Sequence, residues 1–174
     1  MTVKKLETLC KHPYLHMMQR DNWAFVHRPN SNGAAIIVAL TPDNEIILVE
    51  QYRSSFDKNV IELPAGLIGD QDKYEKPIEA AQRELLEETG YKALDMKELF
   101  PSSVSSGLAD EIMIIFLARK TIKIDEGGGV DGENIKVHIV KLDQVHNKLQ
   151  DFIKKGLVID LKIYAALWLI DNLA

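Results

Sequence analysis

Three glutamates within one helical turn constrain this chain more than any other feature. Residues 63–91 read LPAGLIGDQDKYEKPIEAAQRELLEETGY. The second half carries helix signals at both ends. Pro77 suits a first helical position, where its missing N–H costs nothing. Gly90 suits the residue just past the end, where the backbone turns left-handed. Ile78, Ala81 and Leu85 recur at three- and four-residue spacing and predict a buried stripe. Glu84, Glu87 and Glu88 fall at i, i+3 and i+4 and project from a different face. Like charges so spaced cost roughly 0.2–0.5 kcal/mol per pair. Arg83 can relieve part of this through Glu79 or Glu87, one turn away. The remaining carboxylates call for a cation, and all-oxygen ligation suits a hard ion such as Mg2+ or Mn2+. A solvated acidic helix face has the same spacing, so the cluster alone does not separate a metal site from a surface.

The wider spacing does. Gly69 is followed after five residues by Glu75, then after seven by Arg83-Glu84-Leu85-Leu86-Glu87-Glu88-Thr89-Gly90-Tyr91. This resembles the Nudix box at every fixed position. The preceding run, Glu62-Leu63-Pro64-Ala65-Gly66-Leu67-Ile68, resembles the branch that cleaves ADP-ribose and related nucleoside diphosphate sugars. Three extra residues then intervene before Glu75, so the box glycine is Gly69 by spacing and Gly66 by its flank. The resemblance implies an α/β/α sandwich with a mixed curved β-sheet and a small N-terminal β segment. It implies divalent-metal ligation by the Ala65 backbone carbonyl, Glu84, Glu87 and Glu88, with Glu87 also at the catalytic centre. Arg83 would hold the glutamates in place rather than touch substrate.

Other positions extend the resemblance. Gln51-Tyr52-Arg53 resembles the Q-[YF]-R of these hydrolases and makes Arg53 a diphosphate contact; a planar fork of donors matches phosphate oxygens two at a time. An exposed arginine at a strand end is the plainer reading. Ser105-Ser106-Gly107-Leu108-Ala109-Asp110-Glu111 resembles a segment in which a proline precedes the glycine. Counting sixteen residues on from Gly90 gives Ser106, so the proline is absent while Gly107, Leu108 and Glu111 remain as substrate-binding candidates. A looser nucleoside diphosphate sugar specificity follows. Gly127-Gly128-Gly129, flanked by Asp125, Glu126, Asp131 and Glu133, predicts a mobile acidic loop. The resemblance places a general base here, with Glu133 first and Glu126 in reserve. Trp23 or Phe25 would stack on the base, or else plug the edge of the core.

The remaining pattern is strand-rich. Segments 23–27, 34–40, 46–52, 59–63, 94–100, 112–119 and 135–140 read as strands, with a Thr41-Pro42-Asp43-Asn44 turn between the second and third. Helices are predicted over 143–155 and from an Asp160 N-cap onward, where Leu161, Tyr164, Ala165 and Trp168 form a core-facing stripe. The chain divides into an N-terminal segment, 1–33, for dimerisation or base stacking, and a hydrolase domain, 34–174.

Composition narrows the function further. At 174 residues the chain fits one domain with a real core, and its net charge of −5 without a basic block argues against nucleic-acid binding. No apolar run reaches the ~20 residues of a membrane span, and the N-terminal stretch has no secretion-signal core. One cysteine, Cys10, excludes an internal disulfide. The expectation is a cytoplasmic homodimer that hydrolyses ADP-ribose or a related nucleoside diphosphate sugar with Mg2+, Mn2+ being possible. Alternatives are a Nudix enzyme acting on GDP-mannose, dinucleoside polyphosphates or nucleoside triphosphates, and a non-catalytic nucleotide-sugar sensor. An isoprenoid diphosphate isomerase would require a catalytic cysteine, and Cys10 is expected outside the sheet region of the hydrolase domain.

Overall fold

The computed structural model describes residues 5–130 and 132–173. Its strands are β1 (Leu6–Lys11), β2 (His16–Arg20), β3 (Trp23–His27), β4 (Ala34–Ala39), β5 (Glu45–Arg53), β6 (Lys58–Glu62), β7 (Ala65–Leu67), β8 (Tyr91–Ser103), β9 (Ile112–Lys123), β10 (Lys136–Lys141) and β11 (Val158–Ile159). The helices are α1 (Pro77–Thr89), α2 (Val145–Lys154) and α3 (Lys162–Leu173). β1–β3 form a small antiparallel sheet. The other strands divide into two four-stranded sheets, ordered β10-β5-β6-β11 and β7-β4-β9-β8. Both are mixed, because β4 runs parallel to β9 and β6 parallel to β11.

Every residue of β4 is buried, so its alternating side chains feed two cores. Ile36 and Val38 join Leu149 and Phe152 of α2 and Ile163, Ala166 and Ile170 of α3. Ala35, Ile37 and Ala39 join Ala80, Ala81 and Leu85 of α1. Helices therefore cover both faces, as the α/β/α expectation requires. The α1 side is built largely from alanines, Ala118 of β9 included. Small side chains let the helix lie close on the strands, and this closeness brings its acidic face under the sheet edge.

Several sequence expectations change in three dimensions. Ala81 and Leu85 are buried as expected, but Ile78 is 36% exposed, and the stripe of α1 is completed by Ala80, Glu88 and Thr89. The helix is rotated so that Glu88, at 5% exposed, is part of its buried face. The predicted stripe on α3 is also on the wrong side. Leu161 and Trp168 are 78% and 64% exposed, while Ile163, Ala166, Leu169 and Ile170 are buried. An all-round apolar helix has no period that names its inner face; the sheet chooses it. The Thr41–Asn44 turn exists, but β4 and β5 share one bridge, Leu40 to Ile46, and then enter different sheets.

Candidate active site

Helix α1 begins and ends where its sequence requires. Pro77 opens it, and the Glu79 carboxylate accepts the Lys76 N–H at 3.2 Å. Gly90 closes it at φ 75°, donating to the Leu86 carbonyl at 2.8 Å. Between these ends, Arg83 organises the acids. Its Nε donates to Glu75 at 2.9 Å, and its Nη2 to Glu75 and the Leu67 carbonyl at 3.2 Å each. Its Nη1 donates to Glu84 at 2.7 Å and Glu87 at 3.1 Å. A guanidinium has five N–H donors, and all five are engaged. Asp70 stands 3.5 Å away as a further counter-charge. Of the two partners the spacing allowed, Arg83 takes Glu87; Glu79 pairs with Lys76.

Both candidate box glycines have a physical reason. Gly69 sits at φ +80° and donates its N–H to Glu75 at 3.2 Å, which joins Gly69, Glu75 and Arg83 into one chain. Gly66 makes room: a Cβ there would overlap the Glu84 carboxylate. Spacing and flank therefore point to two different jobs.

Glu88 is 5% exposed and accepts the Ala65 N–H at 3.0 Å. Burial pushes its carboxyl up to about 8, against the Ala65 bond, while Glu84 and Glu133 push it further and Arg53 opposes. Burial likewise pushes Glu84 up to about 7, with Arg83 opposing and Glu87 and Asp70 adding to the rise. Two desolvated carboxylates facing further negative charge are poorly matched to one another and well matched to a cation. Among the described residues no three such side chains already surround a point; Arg83 draws Glu84 and Glu87 toward itself instead. The donor set is all oxygen, and the Gly66 cradle leaves the Glu84 carboxylate its space, so the residues fit a hard divalent ion.

Arg53 and Glu133 belong to the same neighbourhood, since both act electrostatically on Glu88. Arg53 is clasped by Glu62, Nε at 2.6 Å and Nη2 at 2.7 Å, which holds its proton more firmly than usual. Among the described residues its Nη1 has no hydrogen-bond partner. Glu133 accepts the Val130 N–H at 3.3 Å. The reserve base, Glu126, is 98% exposed and pairs with Lys123 at 3.9 Å. Asp131 lies outside the described residues.

The other candidates gather on the N-terminal sheet. Trp23 donates Nε1 to the Gly107 carbonyl at 3.1 Å, and Val26 donates to the Leu108 carbonyl at 2.7 Å. Asp110 pairs with His27, and Glu111 with Arg28 at 2.8 Å. This zipper holds the loop that lacks the proline. Trp23 is 63% exposed, so it plugs no core. A cavity of about 780 Å³ has both Arg28 and Arg53 in its lining, with Glu62, Phe56 and Ser102. The motif run includes Glu62 but gives it no role, and nothing in the sequence spacing marks Arg28; each role is identified by the partner across from it.

The NUDIX domain family model matches residues 31–161. The chain belongs to the Nudix family. Members of this family generally work with divalent metal ions. The chain is similar to the methanol dehydrogenase activator of Bacillus methanolicus, 37% identical over 134 residues, covering 77% of this chain and 69% of that one. The ADP-ribose pyrophosphatase of Bacillus subtilis (strain 168) is 37% identical over 112 residues, covering 64% and 59% respectively. The chain thus spans about two thirds of the first relative and less of the second. A GDP-mannose pyrophosphatase of Yersinia enterocolitica is 30% identical over 168 residues, covering 88% and 86%. The fold is also that of a crystal structure of an ADP compounds hydrolase, with a TM-score of 0.75 at 22% identity over 97% of this chain and 90% of that one.

Proposed function

We propose that this Nudix chain hydrolyses the diphosphate linkage of ADP-ribose or a related nucleoside diphosphate sugar, releasing a nucleoside monophosphate and a sugar phosphate. The observation that carries the reading is that Arg53, which lines a substrate-sized cavity, acts electrostatically on Glu88 together with Glu84 and Glu133, while Arg83 gathers Glu84 and Glu87. Relatives that cleave ADP-ribose and GDP-mannose support it.

The chemistry follows from charge. Diphosphate oxygens repel a nucleophile. A divalent ion, Mg2+ with Mn2+ as a substitute, would neutralise those oxygens and acidify a water. Glu84, Glu87, Glu88 and the Ala65 carbonyl would hold it. Arg53, oriented by Glu62, offers its free Nη1 to a phosphate oxygen. Glu133 accepts the proton of the attacking water. Arg83, with every donor engaged, orients the acids. Trp23 packs on the base, and Gly107, Leu108 and the Glu111–Arg28 pair shape the substrate's outer part.

The division at 33/34 belongs to this reading. The N-terminal sheet exposes Leu6, Leu9, Leu15 and Met17, which supports pairing with a second copy in a homodimer. No described helix is long and apolar enough to cross a membrane, in keeping with a cytoplasmic enzyme. The test is Mg2+-dependent turnover of ADP-ribose, GDP-mannose, UDP-glucose, a dinucleoside polyphosphate and dGTP, with products identified by mass. AMP with ribose 5-phosphate, or GMP with mannose 1-phosphate, is expected. No product from any of them would leave the sensor reading in its place.

A further inference from the structure

The glycine-rich loop does not stand free of the body. Helix α1 ends, like any helix, with carbonyls that have no partner inside it. Here the loop supplies the partners. Gly129 donates its N–H to the Glu87 carbonyl at 3.0 Å, and Gly128 to the Glu88 carbonyl at 2.9 Å. Ile124 and Asp125 donate to the Gly90 carbonyl at 2.9 and 3.1 Å. The Gly128 carbonyl in turn accepts the Ile135 N–H at 3.0 Å, at the edge of β10. The backbone of the two glutamates is therefore bonded directly to the segment that leads to Glu133.

The glycines are what the joint's tightness requires. Gly127, at φ +71°, lies against backbone: a Cβ there would overlap Gly90 N and the Thr89 carbonyl carbon, and neither can yield. Gly129, at φ +88°, lies against Glu133 itself: a Cβ would stand 2.6 Å from the Glu133 Cβ and 2.7 Å from its Oε2. Gly132 has the same φ of +88° but, among the described residues, nothing within 4 Å of the added atom. Left-handed strain is thus shared by these positions, whereas collision is confined to the joint.

We propose that this docked joint sets the position of Glu133 against the helix carrying Glu87 and Glu88, with Gly127 and Gly129 as its positioning residues. The inference rests on the reading of Glu133 as the base. It makes the loop part of the helix end rather than a lid, so base and metal-binding acids move as one piece. Misplacing a catalytic group by about 1 Å costs on the order of 10²-fold in rate.

Amide exchange and three variants test it. In the metal-free wild-type chain, amide hydrogen exchange followed by NMR should show slow exchange at Gly128 and Gly129; exchange at the rate of an open loop overturns the joint, whatever the activity. Gly129→Ala should lower kcat about 10²-fold while KM for the best substrate and Mn2+ affinity by titration stay within a few-fold. Gly132→Ala, which carries strain without collision, should lose far less; equal losses in the two variants assign the effect to strain and overturn the inference. Glu133→Gln separates the layers. Undiminished kcat there removes the base and this inference with it. An inactive Glu133→Gln beside a fully active Gly129→Ala leaves the base standing and removes only the joint.

Discussion

The Glu88 carboxylate and the Ala65 backbone N–H meet at 3.0 Å across 23 residues of chain. That bond ties α1 to β7, and β7 is itself paired with the fully buried β4. The acid is thereby tied through β7 to a fully buried strand of the fold, and its burial, not a neighbouring charge, is the first cause of its raised protonation range. A group so placed is expensive to ionise alone and is stabilised by a cation.

Removing the charge while keeping the shape tests this directly. Glu88→Gln retains an acceptor for Ala65, so the metal-free chain should melt no lower than wild type. Turnover and the rise in Tm on adding Mg2+ should both disappear. Wild-type Mg2+-dependent turnover in Glu88→Gln or Glu84→Gln would remove these residues from the metal set.

The linked pH dependence has a definite sign. Glu88 in the fold holds its proton up to about 8 and Glu84 up to about 7, against a usual 4.5 for each. Between 4.5 and those values the folded chain binds more protons than the unfolded one. Metal-free stability from these groups is therefore full below 4.5 and is lost as pH rises toward 8. Metal must displace the same protons. The gain in Tm with Mg2+ should grow from pH 6 to pH 8, and calorimetry in buffers of different ionisation enthalpy should detect proton release at pH 7. A gain that shrinks over that range contradicts the assignment.

Gly66→Ala probes the cradle. The new Cβ would overlap the Glu84 carboxylate, so divalent-ion affinity should fall by roughly 10- to 100-fold, the usual cost of disturbing a ligand's support. Mn2+ titration followed by electron paramagnetic resonance reads this without any substrate.

Arg53→Lys should weaken substrate handling and leave the metal alone. A point charge replaces a fork that holds Glu62 with two bonds. Losing a charged hydrogen bond costs about 1.5–3 kcal/mol, or roughly 10- to 100-fold in kcat/KM. Unchanged kcat/KM would return Arg53 to a purely structural role with Glu62.

Much of the site is local and so was readable in the chain. Pro77, Gly90 and the i, i+3, i+4 acids lie within one helix, whose geometry converts spacing into position without help from the rest of the fold. Gly69, Glu75 and Arg83 are marked by their spacing, but their contact is not: the spacing offered Arg83 only Glu79 or Glu87, and the fold brought it Glu75 as well. The sequence by itself determined that glutamate-bearing helix, its two ends and the strand-rich frame around it. What lay beyond it were choices between surfaces. Ile78 and Trp168 are apolar at plausible intervals, yet the face a helix buries depends on which sheet it meets, and that left both exposed. Glu62 and Arg28 acquire meaning only from Arg53 and Glu111. The docking of Gly128 and Gly129 on the carbonyls of Glu88 and Glu87 was equally invisible. Composition predicts freedom for three glycines, whereas tertiary packing used their missing side chains to bring two backbones together.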